Sequence, residues 1–251
     1  MDLSPLEALV LPFLLIATRL TGLVTGFPTL VGELIPLRIR GAFVMVVAFV
    51  LTLSHQAIVT PDYFVLSFIG EFALGLLLGL VLRVAMNAAE FAAELVGLQL
   101  GFGFGSMVDP RTEEPSGPLT RMIVLFAGLL FFATDSYEQV LLGFSYSLDK
   151  TPPGAIAIAN LHIDTLMTYV QDTMKAALIM AAPILFLTFL IQIIFGILTK
   201  VAPQLNMWSL GFSGTIGAGL FAMTMAAPRW LVMVQEQIAI GLTNFKTTLL
   251  G

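Results

Sequence analysis

From Tyr63 to Leu100 the sequence runs without a proline. As a helix rising ~1.5 Å per residue, this run is about 57 Å long, against a hydrocarbon core of ~30 Å. Its distal half must therefore leave the lipid or break. That half also changes character: Arg83, Asn87, Glu90 and Glu94 recur at helical spacing and form one polar stripe, while Ala85, Ala88, Ala89, Ala92 and Ala93 between them permit close helix contact. The pattern predicts a helix packed by protein, with one polar face.

The rest of the chain agrees. With 58% hydrophobic and 11% charged residues and a mean hydropathy of +0.97, the 251 residues lie outside the range of soluble domains and read as a polytopic membrane protein. The net charge of −5 is spread thinly, without the basic run that nucleic acid requires. The absence of cysteine excludes disulfides, thiolate metal sites and thiol catalysis. The stretch up to Phe27 has no lysine or arginine before Arg19, so it lacks the positive start of a cleavable signal and is read as mature structure.

Leu9 to Phe27 can span a bilayer, but it holds Arg19, which is costly there unless it snorkels to the interface or pairs inside an assembly. After a turn through Pro28, Gly32, Glu33 and Pro36, Arg38 and Arg40 precede an apolar segment from Gly41 to Leu53, about 13 residues and short for a span. Leu119 to Thr134 is apolar, and Asp135, Ser136 and Glu138 interrupt it before Val140 to Tyr146. Asp149 to Gly154 is a loop. A long element runs from about Leu166 to Lys200 with Pro183 as a kink. The last begins at Met207, is broken by Pro228, and continues with Leu231, Val234, Ile238, Leu242, Phe245 and Leu249 as an apolar stripe. Counted as six spans, Arg38, Arg40, Arg111, Arg121 and Lys200 share one side, which the positive-inside rule places in the cytoplasm. The overlong helices fit that simple topology poorly.

Between the two halves lies Gly101 to Pro118, rich in glycine, proline and charge. Non-helical backbone at membrane depth is tolerated only where protein buries it or it lines a cavity. Comparison with a potassium filter fails, because Gly101 and Phe102 replace the threonine and valine expected there. No strand precedes it, as a dinucleotide loop would need. What remains is flexibility at Gly101, Gly103 and Gly105 with bulk at Phe102, Phe104, Met107 and Val108. That suits a deformable hydrophobic plug, or a shielded turn between helices. Gly211-Phe212-Ser213-Gly214 matches the motif of intramembrane serine proteases, but His55 and His162 both precede it, so Ser213 reads as a packing residue. Neither histidine has a metal-ligand pattern. Glu71 is the one acid deep in an apolar segment, beside a small-residue groove at Gly75 and Gly79; structural pairing and proton relay are both open to it.

Taken in order, Arg19 with Gly22 and Pro28, Ile35-Pro36 with Arg40, Glu71 with Gly75 and Gly79, Gly101-Phe102-Gly103 with Asp109-Pro110, and Ala202-Pro203-Gln204-Leu205-Asn206 leading to Leu210-Gly211-Phe212 carry a likeness over nearly the whole chain. It resembles the FliR/SctT family of type III secretion export gates. The resemblance implies an all-α membrane protein of long kinked helices in hairpins. Residues 1–200 would form a FliP-like part and 201–251 a FliQ-like part.

By the same resemblance, the chain joins FliP-like and FliQ-like subunits in a helical gate with FlhB-like and FlhA-like neighbours. The gate sits in the bacterial inner membrane at the flagellar basal body, partly raised toward the periplasm. It passes unfolded flagellar proteins, with no catalysis and no cofactor. The plug is then Gly101 to Pro110, including Asp109; Glu71, Arg83, Asn87, Glu90 and Glu94 line the lumen or bridge subunits; and Pro203, Gln204 and Asn206 form a turn. An injectisome gate subunit and a proton-coupled secondary transporter using Glu71 are the alternatives.

Overall fold

The computed structural model describes residues 4–27, 36–55, 64–102, 117–154, 163–202 and 207–247. Among them are seven helices and no strand: α1 (Ser4–Gly26), α2 (Leu37–Ser54), α3 (Phe64–Gln99), α4 (Pro118–Ala133), α5 (Ser136–Lys150), α6 (Ile163–Val201) and α7 (Met207–Thr247). Five are long and apolar enough to cross a membrane, and α4 with α5 adds a sixth candidate span bent by 69°. The all-α membrane fold read from the sequence is what forms. The chain divides into two compact units. The first holds residues 1–85, 131–170 and 238–251, the second residues 86–130 and 171–237.

In the first unit α1 and α3 meet backbone to backbone. Gly22 and Gly26 on α1 face Gly75 and Gly79 on α3. A methyl group added to Gly75 would strike the carbonyl oxygen of Arg19, and one on Gly26 would lie 2.5 Å from the carbonyl oxygen of Leu76. Small residues four apart on both helices allow this approach, which lipid does not otherwise drive. Around the crossing Leu15, Ile16, Leu20 and Leu23 of α1 and Leu74, Leu78 and Val81 of α3 are buried. α2 packs against α1 along Val44, Ala48 and Thr52, one narrow stripe at successive turns. Phe13 meets Phe49 edge-on at 6.5 Å between centroids. The sequence placed this helix at Gly41 to Leu53; it begins four residues earlier, at Leu37, and with 18 residues it is long enough to span. Charge made Arg38 and Arg40 look like loop, whereas arginine is a good helix former and Pro36 supplies the start.

The α4–α5 bend turns on Asp135, whose φ of 52° lies in the left-handed region. An acid tolerates that conformation better than most residues do. Thr134 Oγ1 and Ser136 Oγ sit 2.8 Å apart across it. α5 runs on through Asp149 and Lys150, which the sequence reading placed in the following loop. Gly241 of α7 fits against α3: a methyl group there would lie 2.5 Å from Ala85 Cβ.

In the second unit the alanine face of α3 is buried at Ala88, Ala89, Ala92 and Ala93. The Leu100 side chain seats on Gly219 of α7, where any Cβ would collide with it. Trp230 of α7 donates its indole N–H to the Met180 carbonyl of α6 at 2.8 Å. Gly211 and Gly214 make a notch for the Phe195 ring, with 2.7 Å left for a methyl group at Gly214. The glycines of the protease-like motif are thus accounted for by packing.

α7 does not stop at Pro228. It is continuous over 41 residues with the proline inside. A proline removes one helical hydrogen bond and crowds the carbonyl four residues back. In a long apolar helix the cost of breaking the remaining bonds in lipid is larger, so the helix continues. Val234, Ile238, Leu242 and Phe245 of the expected stripe are buried, and Leu231 is half-buried. Leu249 lies outside the described residues.

Candidate functional site

The most constructed polar site is inside the first unit. Arg19 is fully buried and Glu71 is 1% exposed. The guanidinium Nε donates to Glu71 Oε2 at 2.5 Å and Nη2 to Oε1 at 3.0 Å, a forked pairing that suits guanidinium and carboxylate geometry. Arg19 therefore does not snorkel: the interior supplies its counter-charge.

The remaining donors of Arg19 serve the end of α5. Nη1 reaches Ser147 O at 3.1 Å, Ser147 Oγ at 3.3 Å and Thr151 Oγ1 at 3.0 Å, while Nη2 reaches Thr151 O at 2.9 Å. The last carbonyls of a helix have no partner within it and carry the negative end of the helix dipole, so a cation is well placed there. Gly154 then turns the chain with φ of 90°, a conformation glycine adopts at least cost. Its N–H donates to Glu71 Oε1 at 2.8 Å, and its carbonyl accepts from Ser67 Oγ at 3.3 Å. Glu71 thus has both oxygens engaged, which argues for structural pairing over proton relay. α1, α3 and the end of α5 share one neutralised core.

His55 closes α2. Its Nδ1 lies 3.2 Å from Leu51 O, and its Nε2 lies 3.1 Å from Asp149 Oδ1 and 3.4 Å from Ser145 Oγ. Nothing in the residue order signalled Asp149 and Ser145 as partners, because they lie on a helix some ninety positions away.

On α3, Arg83, Asn87 and Glu94 are exposed and Glu90 is half-buried, opposite the buried alanines. The expected division of that helix into a polar and a packed face is present. Of the expected plug only Gly101 and Phe102 are described; Gly103, Phe104, Gly105, Met107, Val108, Asp109 and Pro110 lie outside the described residues, as do Pro203, Gln204 and Asn206. Gly101 has φ of 86°, its N–H bonds Leu98 O at 3.1 Å, and the Phe102 N–H bonds Gly97 O at 2.9 Å. That is the paired hydrogen-bond pattern of a glycine-terminated helix. On return, the Gly117 carbonyl accepts from Arg121 N–H at 3.2 Å, and Pro118 takes the first helical position, where its missing N–H costs nothing. A methyl group on Gly117 would lie 4.0 Å from Phe102 Cβ, so chain exit and entry adjoin.

The family model for bacterial export proteins, family 1, matches residues 10–240. The chain belongs to this family. Among its relatives in the bacterial export protein family, the flagellar biosynthetic protein FliR of Escherichia coli is 25% identical over 84% of this chain and 82% of its own length. That of Bacillus subtilis is 22% identical over 94% of each. The FliR of Aquifex aeolicus matches at 23% identity over 53% of this chain, which spans about half (52%) of that relative. The surface presentation of antigens protein SpaR of Shigella flexneri is 23% identical over 57% of this chain and 55% of its own. The stretch matched by the export-protein family contains Arg19, Glu71 and residues 101–118.

Proposed function

We propose that the chain is an integral subunit of a type III protein export gate, a conduit for unfolded proteins rather than an enzyme. The observation that carries this reading is the surface of α6 and α7 in a member of the export family. Their apolar stretches, Leu166–Val201 and Leu210–Phe245, are 36 residues each, and within an apolar 18-residue core of each only 22% and 11% is buried in the chain. At ~1.5 Å per residue each is about 54 Å long, nearly twice the hydrocarbon core, so one bilayer cannot cover them and neighbouring protein must. FliP-like and FliQ-like subunits are the proposed cover, with FlhB-like and FlhA-like proteins as further neighbours, in an inner-membrane assembly rising partly toward the periplasm. Within it residues 1–200 take the FliP-like place and 201–251 the FliQ-like place. The flagellar form is favoured over the injectisome form because the E. coli and B. subtilis FliR match along 82% and 94% of their length, while SpaR, like the FliR of A. aeolicus, matches along about half.

The segment from Gly101 to Pro110 is the proposed seal: Phe102, Phe104, Met107 and Val108 supply apolar bulk, and a dewetted constriction blocks ions without a fitted lock. Arg83, Asn87, Glu90 and Glu94 supply a polar face for the lumen or a neighbouring subunit. Removing residues 103–116 and bridging the adjoining ends at Phe102 and Gly117 with a short glycine link is expected to leave the complex assembled but leaky to ions and small solutes. Conductance at the wild-type level would dispose of the seal. Purification as a lone chain, without small hydrophobic helical partners, would dispose of the gate.

A further inference from the structure

We propose that α2 is the lipid-facing helix of this chain, with Arg38 seating its first turn among lipid phosphates, so that it sets the level of the bilayer on the protein. Its length is the first reason. With 18 residues it is about 27 Å long, one hydrocarbon core, whereas α3, α6 and α7 hold 36, 39 and 41 residues.

Its surface is the second reason. Only Val44, Ala48 and Thr52 are buried, while Met45, Val46, Phe49, Val50 and Leu53 are half or more exposed on the other faces. These are large side chains. Helices that dock on one another in lipid do so through small residues. α7 has them: Gly217 is exposed with open space around it, on the helix that already receives Leu100 and Phe195 at glycines. α2 has one such glycine, Gly41, near its start, but from Phe43 to Leu53 its exposed side chains are all large, which suits fluid acyl chains better than a fitted partner.

Charge at the two ends is the third reason. Arg38 is exposed in the first turn, a basic group complementary to phosphate. At the other end His55 meets Asp149 at 3.1 Å, and Lys150 lies over the Tyr146 ring at 5.7 Å. Polar groups with an aromatic ring are what a second membrane–water interface selects. Between these ends the exposed positions from Gly41 to Leu53 are all uncharged.

This inference rests on the gate reading only where it contrasts α2 with α7. The chain has no native cysteine, so single cysteines carry spin labels without background. Leu37→Cys, Val46→Cys, Leu53→Cys and Phe221→Cys are labelled in the assembled complex, in nanodiscs of phosphatidylethanolamine and phosphatidylglycerol. Collision rates with oxygen and with a water-soluble nickel chelate are then measured. The expected profile has oxygen collisions several-fold above nickel collisions at position 46, falling toward 37 and 53, and low rates with both at position 221. A nitroxide at 37 is expected to broaden the lipid 31P resonance, and one at 46 to leave it sharp. An immobile label at 46 with low oxygen collisions overturns the proposal whatever position 221 shows. No 31P broadening from 37 overturns the phosphate seat. High oxygen at both 46 and 221 supports α2 in lipid and removes the gate reading instead.

Discussion

Replacing Glu71 by leucine tests the buried network most directly. The substitution keeps approximate volume and removes the counter-charge of a fully buried guanidinium, two of its hydrogen bonds, and the acceptor of the Gly154 N–H. Removing one partner of a buried ion pair costs about 3–5 kcal/mol, because the other charge is left stranded. Arg19 keeps its contacts to Ser147 and Thr151, so the expected loss for Glu71→Leu is about 4 kcal/mol, roughly a thousandfold in the folded-to-unfolded ratio. Arg19→Met strands the carboxylate with one backbone donor and should cost about the same.

The double variant is the deciding measurement. With both charges gone, what remains is an unpaired N–H at Gly154 and carbonyls at the end of α5, worth about 2 kcal/mol together. The double variant should therefore be more stable than either single one, and fall short of the summed losses by at least about 3 kcal/mol. The assay is helical circular dichroism through a denaturant titration in mixed micelles, with the yield of assembled complex read alongside. Additive losses, or a neutral Arg19→Met, would refute the argument that the pair neutralises itself inside the chain.

Two glycines of α3 should behave oppositely: Gly75→Ala puts a methyl group into the Arg19 carbonyl and should cost about 1–3 kcal/mol by forcing α1 and α3 apart, whereas Gly70→Ala meets open space and should gain about 0.5–1 kcal/mol, both read as melting shifts. At the bend, Asp135→Gly or Asp135→Asn should preserve stability, and Asp135→Val should lose at least about 1 kcal/mol, because a branched residue resists the φ of 52°. Gly101→Ala should destabilise the end of α3 by about 1 kcal/mol through its φ of 86°, detectable as faster amide exchange at Gly101 and Phe102.

Much of this was readable from residue order. α3 follows its proline-free run almost end to end, and its alanines and polar positions fall on opposite faces, because both depend only on a period of 3.6 residues. Gly22, Gly75 and Gly79 were visible as small residues, though not that α1 and α3 use them against each other. The readings that shifted were local conflicts: charge at Arg38, Arg40, Asp149 and Lys150 suggested loop, and Pro228 suggested a break. In each case the position is helical: at Pro228 because unpaired backbone in an apolar setting costs more than the local preference, and at Arg38 and Arg40 because arginine is itself a good helix former.

By itself, then, the sequence determined the lengths of α3 and α6, each longer than one hydrocarbon core, since length and hydropathy are properties of consecutive residues. It also marked Arg19 and Glu71 as charges needing an explanation. Only the tertiary structure decided that explanation. The partners lie 52 positions apart, and the α5 carbonyls that complete the shell lie 128 and 132 positions from Arg19. A buried charge is neutralised by whatever the fold brings within about 3 Å of it. No periodicity along the chain encodes which residues those are.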